Sequence, residues 1–219
     1  MLVPRPETEL LVEETIELIK EQGVRSKEKK ITLIDIGTGS GCIPIAIAKS
    51  LTNQSTNKLI NQLLIIATDI SPDALVVARR NARTHHVKIK FLHGNLLSPL
   101  LKKSYMLHVT CSNHLIITAN LPYGWKAWKN NCSMNSAGLK FEPPQALFTG
   151  KHGLQLYEGL FKQVNSLSIF NLQSSIIVEF DPRQTKLLCA LIKRTLPNAR
   201  VQIKKDLAGL DRVAIIIAK

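Results

Sequence analysis

The 219-residue chain predicts an α/β fold built on a mostly parallel β-sheet. Three observations carry that reading. Short apolar runs alternate with helix-like stretches, a glycine-rich turn separates the first run from the stretch after it, and the final two runs follow one another with no helix between them.

In chain order, Glu7 to Gln22 sets Leu10, Leu11, Ile16, Leu18 and Ile19 near helical spacing among acids and lysines, opened by Pro6 with Glu7 and Glu9 in the first turn. A helix is predicted there. The strand candidate "ITLIDIG" leads into the helix-like "IPIAIAKSL", and "LLIIATDIS" leads into "PDALVVARRNA". Further strands are predicted at "KIKFL" (Lys88 to Leu92), "HLIIT" (His114 to Thr118), "SSIIVEF" (Ser174 to Phe180), "RVQIK" (Arg200 to Lys204) and "RVAIIIA" (Arg212 to Ala218), seven in all. Helices are predicted over Gly153 to Leu167 and Pro182 to Leu196, the second with Asp181 as its cap and Pro182 in its first turn. The last two strands should pair antiparallel across "KDLAGLD". Ser50 to Gln62 and Trp125 to Lys140 read as loops, the second placed to lie over a site. With no internal repeat, residues 1–219 are expected to form one domain.

An apolar share of 45% with 21% charged residues is a globular composition. No run approaches the roughly 18 apolar residues of a membrane span, and Met1 leads directly into "PRPETE", so a soluble, cytoplasmic protein without membrane contact is expected. Cys42, Cys111, Cys132 and Cys189 are scattered without a C-x-x-C pair, which predicts reduced packing residues, no disulfide framework and no metal site. Lys and Arg number 29 against 16 Asp and Glu, a formal charge of +13. Each basic cluster alone reads as a solvated face. Together they leave proximity to RNA open.

The chemistry is concentrated where strands end. "DIGTGSG", Asp35 to Gly41, places Gly37, Gly39 and Gly41 at alternate positions between a strand and a helix, with Thr38 and Ser40 between them. Such a turn lets a ligand approach the main chain at the carboxyl edge of the sheet. It lacks the G-K-[ST] ending of a phosphate loop, and the acid ahead of it suits a ligand bearing an ammonium group. Asp69 ends the next strand, where a carboxylate can accept both hydroxyls of a ribose, and Asn95 with Leu96 follows the third, offering an amide and an apolar wall to adenine. A nucleoside with an amino-acid tail would find contacts at all three.

At the fourth strand end stands "ANLPYG". A planar NH₂ group whose lone pair is delocalised is a poor nucleophile toward a methyl sulfonium. The side-chain carbonyl of Asn120 and the main-chain carbonyl of Leu121 can each accept one N–H bond and hold the nitrogen toward the methyl carbon. Pro122 stiffens the turn, and the Tyr123 ring can stack on a planar substrate. Positioning and aligned dipoles suffice, because the proton can leave after transfer.

Together "DIGTGSG", "ATDIS" and "ANLPY" resemble a class I S-adenosylmethionine-dependent methyltransferase that modifies a planar nitrogen. "PRPETELLVE" (Pro4 to Glu13), "EPPQALFTGKHGLQLYEGL" (Glu142 to Leu160) and "DLAGLDRVAII" (Asp206 to Ile216) resemble the HemK/PrmC family, which methylates the glutamine of the GGQ motif in peptide chain release factors. The resemblance runs over nearly the whole chain. It implies the seven-stranded methyltransferase sheet, S-adenosylmethionine as donor and S-adenosylhomocysteine as product, and it would make ribosomal RNA the RNA near the basic clusters. Gly37, Thr38, Gly39, Ser40 and Gly41 would line the methionine part, Asp69 would take the ribose, Asn95 and Leu96 would flank the adenine, and Asn120 to Tyr123 would hold the substrate amide.

Three departures stand out. Leu121 replaces the first proline of the usual N-P-P-Y, and Asn95 stands where the family usually has Asp. The chain also begins at the threshold of the catalytic domain, so the family's small N-terminal helical domain is expected to be absent. Two alternatives remain: an adenine-N6 methyltransferase acting on RNA or DNA, for which the same clamp and the basic charge are suited, and a cofactor-binding module without activity. His85 and His86 are expected to complement a helix dipole rather than bind metal. Trp125 and Trp128 are read as part of a lid or a substrate contact, and Glu179 as a residue beside the site with no proton-transfer role.

Overall fold

The computed structural model describes residues 5–24, 30–53, 63–101, 105, 112, 114–124, 149–150, 152–167, 169 and 174–218. Its elements are α1 (Thr8–Val24), β1 (Ile31–Ile36), α2 (Cys42–Asn53), β2 (Leu63–Asp69), α3 (Pro72–Thr84), β3 (Lys90–His93), β4 (His114–Ala119), α4 (Gln155–Ser166), β5 (Ser174–Glu179), α5 (Thr185–Thr195), β6 (Ala199–Lys205) and β7 (Asp211–Ala218). All seven predicted strands form one sheet in the order β3-β2-β1-β4-β5-β7-β6.

The central strands β1 and β4 are buried along their whole length, as expected for parallel strands covered on both faces. Successive side chains alternate between two cores. Ile34, Ile36, Ile117, Ile176 and Ile216 face Tyr157 and Phe161 of α4 and Leu188 and Ile192 of α5. Leu33, Ile65, Ile116, Ile177 and Ile215 face Leu11 and Ile19 of α1 and Ile47 and Leu51 of α2.

β1 pairs with β2 on one side and β4 on the other, both parallel, so the strand order reverses there and opens a crevice at the carboxyl ends. The register levels those ends: Ile36 lies opposite both Thr68 and Ala119. Ala119 pairs with Val178, so Asn120 and Glu179 emerge side by side.

The predicted antiparallel hairpin is present, and the sheet inserts its second strand between β5 and β6. This explains a difference in texture. β7 is internal and largely buried, whereas β6 forms the edge and alternates exposed with half-buried residues. The "DLAGLDR" segment is tied by its charges. Asp206 Oδ1 accepts the N–H groups of Ala208 and Leu210, and Oδ2 accepts from the Arg212 guanidinium at 3.1 Å.

Most boundaries shift by one or two residues, and four differences have a structural consequence or cause. α2 continues through Asn53, into the stretch from Ser50 predicted as a loop, because the fully buried Leu51 packs its last turn into the core. β3 begins at Lys90. α4 begins at Gln155, since Gly153 has φ +71° and lies outside the helix. Pro182–Gln184 forms a 3₁₀ turn closed by an Asp181–Gln184 capping box before α5 starts. His85 ends α3 as expected and its N–H bonds the Asn81 carbonyl. Trp125, Trp128 and the predicted loop around them lie outside the described residues, as do Cys111, Cys132 and residues 54–62. Among the described residues Cys42 and Cys189 are free thiols, no cluster suited to a metal occurs, and no helix is long and apolar enough to cross a membrane.

Candidate active site

The four strand ends singled out from sequence converge at one edge of the sheet. After β1, Gly37, Gly39 and Gly41 all adopt positive φ, at +69°, +56° and +80°. A Cβ at Gly37 would lie 2.7 Å from the Leu121 side chain, so this glycine also admits the loop after β4 against the turn. The N–H groups of Gly37 and Thr38 both bond the Thr68 carbonyl at 2.9 Å. Ser40 is held through its carbonyl, which accepts from the Asn81 side chain at 3.0 Å.

Asp35, the acid ahead of the glycines, is wholly buried, and its Oδ1 accepts from the Thr118 hydroxyl at 2.8 Å. Burial pushes its carboxyl up to about 7, partly opposed by the neighbouring Thr38 and Thr118 hydroxyls. Asp35 Oδ2 and Thr38 Oγ1 are buried without a hydrogen-bond partner among the described residues.

Asp69 has a role that sequence reasoning missed. Its Oδ2 accepts the Gly39 N–H at 2.7 Å and its Oδ1 the Ser71 N–H at 2.8 Å. Ser71 in turn caps α3 through Ala74. One carboxylate thus ties the glycine turn to the following helix, and each oxygen keeps a further lone pair. After β3, Asn95 is exposed while Leu96 is buried with φ +50°. The Leu96 carbonyl accepts the Thr68 hydroxyl at 2.9 Å, and Leu97 N–H bonds Gln163 of α4 at 2.9 Å, fixing that turn on both sides.

At the end of β4 the Asn120 amide is oriented by two residues distant in sequence. Its Nδ2 donates to Glu179 Oε2 at 2.8 Å and to Thr8 Oγ1 at 3.1 Å, which uses both amide hydrogens. Its Oδ1 is buried and has no partner among the described residues. Tyr123 donates its phenol to the other Glu179 oxygen at 3.1 Å. Burial and the adjacent Glu179 charge hold that phenol far above the usual tyrosine range. Burial likewise raises the Glu179 carboxyl, with the Thr8 and Tyr123 hydroxyls and Arg212 opposing.

The loop itself is supported from below. The Tyr157 hydroxyl accepts the Leu121 N–H at 3.1 Å and donates to the Glu179 main-chain carbonyl. Gln184 bonds the carbonyls of Tyr123 and His152 at 2.9 and 2.6 Å. Gly153 has no room for a side chain, since a Cβ would sit 1.9 Å from the Tyr123 carbonyl oxygen.

Thr8, Tyr157, Gly153 and Gln184 therefore belong to the site and were not identified as such from sequence. Thr8 lies within "PRPETE", Tyr157 and Gly153 within "GKHGLQLYEGL"; these motifs were visible, but their targets were not. At the opposite ends of the strands, a groove of about 540 Å³ is lined by Arg79, Arg83, Lys88 and Lys90 around Ile89 and Phe91. No carboxylate lines it among the described residues.

Residues 27–121 match a family profile described as a methyltransferase domain. A release factor glutamine methyltransferase of Enterococcus faecalis is 31% identical over 215 residues, covering 98% of this chain and 67% of that protein. The chain belongs to the release factor glutamine methyltransferase family. A second member, from Staphylococcus aureus, is 31% identical over 212 residues, and one from Flavobacterium psychrophilum 33% over 216, each matched over 97% of this chain and 66% of its own length. The chain thus spans about two thirds of the length of these relatives.

Solved structures place the fold of this release factor glutamine methyltransferase family chain. A release factor-specific protein-(glutamine-N5) methyltransferase from Alicyclobacillus acidocaldarius superposes with a TM-score of 0.52 at 20% identity, over 99% of this chain and 94% of that one. The N-terminal domain of human METTL16 in complex with SAH gives 0.60 at 15% identity, over 100% and 72%. The expected class I S-adenosylmethionine-dependent methyltransferase fold is the one found. The leucine that departs from the usual N-P-P-Y is also accounted for: unlike proline, Leu121 has an N–H, and Tyr157 receives it.

Proposed function

We propose that the chain is a protein-(glutamine-N5) methyltransferase that transfers a methyl group to the side-chain amide of the glutamine in the GGQ motif of peptide chain release factors. The observation that carries this reading is the state of Asn120. Both hydrogens of its amide are spent inside the protein, while its carbonyl oxygen is buried with no partner among the described residues. An unpartnered buried acceptor is costly, by about 1 to 3 kcal/mol, and a substrate N–H relieves that cost. The site is therefore built for an NH₂ donor.

The residues at the glycine turn fit the donor. Asp35 Oδ2, buried beside the Thr38 hydroxyl, offers a carboxylate oxygen to an ammonium group, and the three positive-φ glycines allow close approach. Gly37, Thr38, Gly39, Ser40 and Gly41 would hold the methionine part of S-adenosylmethionine, Asp69 its ribose, and Asn95 and Leu96 its adenine. When bound it supplies an electrophilic methyl group on a sulfonium and becomes S-adenosylhomocysteine.

The remaining work belongs to the clamp. Asn120 Oδ1 and the Leu121 main-chain carbonyl each accept one hydrogen of the substrate amide, which restrains rotation of the nitrogen and favours its pyramidal form. Tyr123, anchored by Glu179, offers its ring to the planar amide, and Pro122 limits the loop's freedom. No base is needed before transfer. The N-methylated nitrogen is acidic enough to release its proton afterwards.

The protein partner in this reading is a release factor, the setting is the cytoplasm, and residues 1–219 act as one catalytic domain. A second reading, adenine-N6 methylation of RNA, draws on one specific feature, the basic groove formed by Arg79, Arg83, Lys88 and Lys90. The same feature supports proximity to ribosomal RNA during termination under the first reading.

Labelled S-adenosylmethionine offered with a purified release factor, its GGQ-to-GGA variant and a structured RNA separates these readings. Label on the GGQ protein alone is expected. Label on RNA adenine would replace glutamine as the acceptor, and label on neither would leave a binding module.

A further inference from the structure

Glu179 touches no substrate in the clamp as read above, yet it ends β5 fully buried and receives two donors, Asn120 Nδ2 on one oxygen and the Tyr123 phenol on the other. A side-chain amide has two nearly isosteric ends, one accepting and one donating. Which end faces the substrate decides whether the site can hold an NH₂ group. Packing alone distinguishes the two poorly, because they differ little in size. Charge distinguishes them well.

We infer that Glu179 is the positioning residue that locks Asn120 with its oxygen toward the substrate, and that it must be ionised to do so. This rests on the glutamine reading, and it assigns to Glu179 a task the substrate contacts do not reveal. An ionised carboxylate only accepts. Were Asn120 turned over, its Oδ1 would face Glu179 Oε2, two acceptors 2.8 Å apart with negative charge on one of them. Thr8 cannot impose the choice, because a hydroxyl serves equally as donor or acceptor. The lock is therefore electrostatic, and Thr8 follows whatever Glu179 selects.

The same logic specifies how the lock fails. Protonated Glu179, or glutamine at this position, presents one donor and one acceptor. Two arrangements then satisfy the buried groups. In one, Asn120 keeps its orientation; in the other, its Oδ1 accepts from position 179 and from Thr8, and its Nδ2 points at the substrate amide. The second arrangement satisfies the Asn120 oxygen inside the protein, sets donor against donor at the substrate and is catalytically dead.

The groups facing Glu179 are Glu7 just before α1, Thr8 at its start, Tyr123 from the loop after β4, and Arg212 from β7, with the Tyr157 hydroxyl on its main-chain carbonyl. Burial raises the Glu179 carboxyl above the ordinary carboxylate range, and Arg212 and the two hydroxyls only partly offset this. With saturating donor, kcat is thus expected to fall on acidification at a higher pH than an ordinary glutamate would give. Asp35, which also titrates high, lies at the donor's side of the site and would act on the donor's KM instead.

The test measures kcat, KM and pH dependence for release factor methylation by the parent, Glu179→Gln and Glu179→Ala, with S-adenosylhomocysteine affinity by calorimetry as the measure of an intact fold. The lock predicts that Glu179→Gln binds S-adenosylhomocysteine within about twofold of the parent and loses at least about twofold in kcat, because the dead arrangement takes at least an equal share of the population. It also predicts that this variant lacks the acid limb of the parent's profile and is at least as slow as Glu179→Ala despite being isosteric. A merely structural role predicts the reverse order, with Gln milder than Ala and the acid limb unchanged, and that result overturns the inference. A parent whose kcat shows no acid limb overturns it without recourse to any variant. A parent that leaves the release factor unlabelled overturns the glutamine reading and the inference with it, whereas a labelled parent matched by Glu179→Gln overturns the inference alone.

Discussion

The amide nitrogen of Asn120 lies 2.8 Å from Oε2 of Glu179, although 59 positions separate them in the chain. Parallel pairing of β4 with β5, Ala119 opposite Val178, brings them together. That contact and the one to Thr8 leave the Asn120 oxygen as the single end available to a substrate.

Asn120→Ala is therefore expected to lower kcat by about 100- to 1,000-fold, the usual effect of removing one preorganised polar contact. Because its contacts with Glu179 and Thr8 lie outside the glycine turn, affinity for S-adenosylhomocysteine should change little. Methyl-transfer kinetics alongside calorimetry check both halves, and an unimpaired kcat would remove Asn120 from the reaction.

Gly153→Ala tests the support beneath the clamp. A Cβ there would lie 1.9 Å from the Tyr123 carbonyl oxygen, and φ is +71°. Clash and left-handed strain together should cost at least about 2 kcal/mol. Urea unfolding should show that loss, and activity should fall with it, since relief of the clash moves Tyr123.

Tyr157→Phe removes an oxygen that accepts the Leu121 N–H and donates to the Glu179 carbonyl. Both partners are buried, and leaving one unsatisfied costs about 1 to 3 kcal/mol. Leu121→Pro removes the same N–H together with a buried leucine side chain. The two substitutions should be less than additive in denaturant unfolding, because the second finds the bond already gone. Strict additivity would mean that the Leu121 N–H contributes nothing.

Asp35 gives a pH dependence of definite sign. Its folded carboxyl is raised to about 7 from 3.8, so between those values the folded chain holds a proton that the unfolded chain has lost. Stability contributed by this group falls as pH rises through that window, and the penalty is complete above about 7. Asp35→Asn should accordingly stabilise the chain at pH 8 by on the order of a few kcal/mol relative to any effect near pH 4. Thermal unfolding at the two pH values measures this. The same variant should bind S-adenosylmethionine more weakly, because the neutral amide cannot pair with an ammonium group.

Much of this site was legible before any coordinates. Alternate glycines after an apolar run serve tight strand-helix packing as readily as a ligand, and it is Asp69 at the next strand end that turns them into a site; Asn-x-Pro-Tyr after a strand is poor turn chemistry unless the amide is employed. Asp69 was legible only in part. Its place at a strand end was evident, but its hydrogen bonds to Gly39 and Ser71, which brace the turn, depend on how β1 and β2 align. Thr8 was less visible still: nothing in "PRPETE" indicates that its hydroxyl reaches Asn120, 112 positions away.

The chain's own order of residues determined seven strands, the glycine turn, the Asn-Leu-Pro-Tyr segment at the end of β4 and the family, because these are written in local spacing and in residue chemistry. Tertiary structure alone decided that β7 enters between β5 and β6, that Gly153 must make way for Tyr123, and that Asn120 presents its oxygen. The physical reason is range. Periodicity fixes what a segment becomes, while the register of the sheet fixes which distant groups meet, and an amide that can face either way is settled only by the charge it meets there.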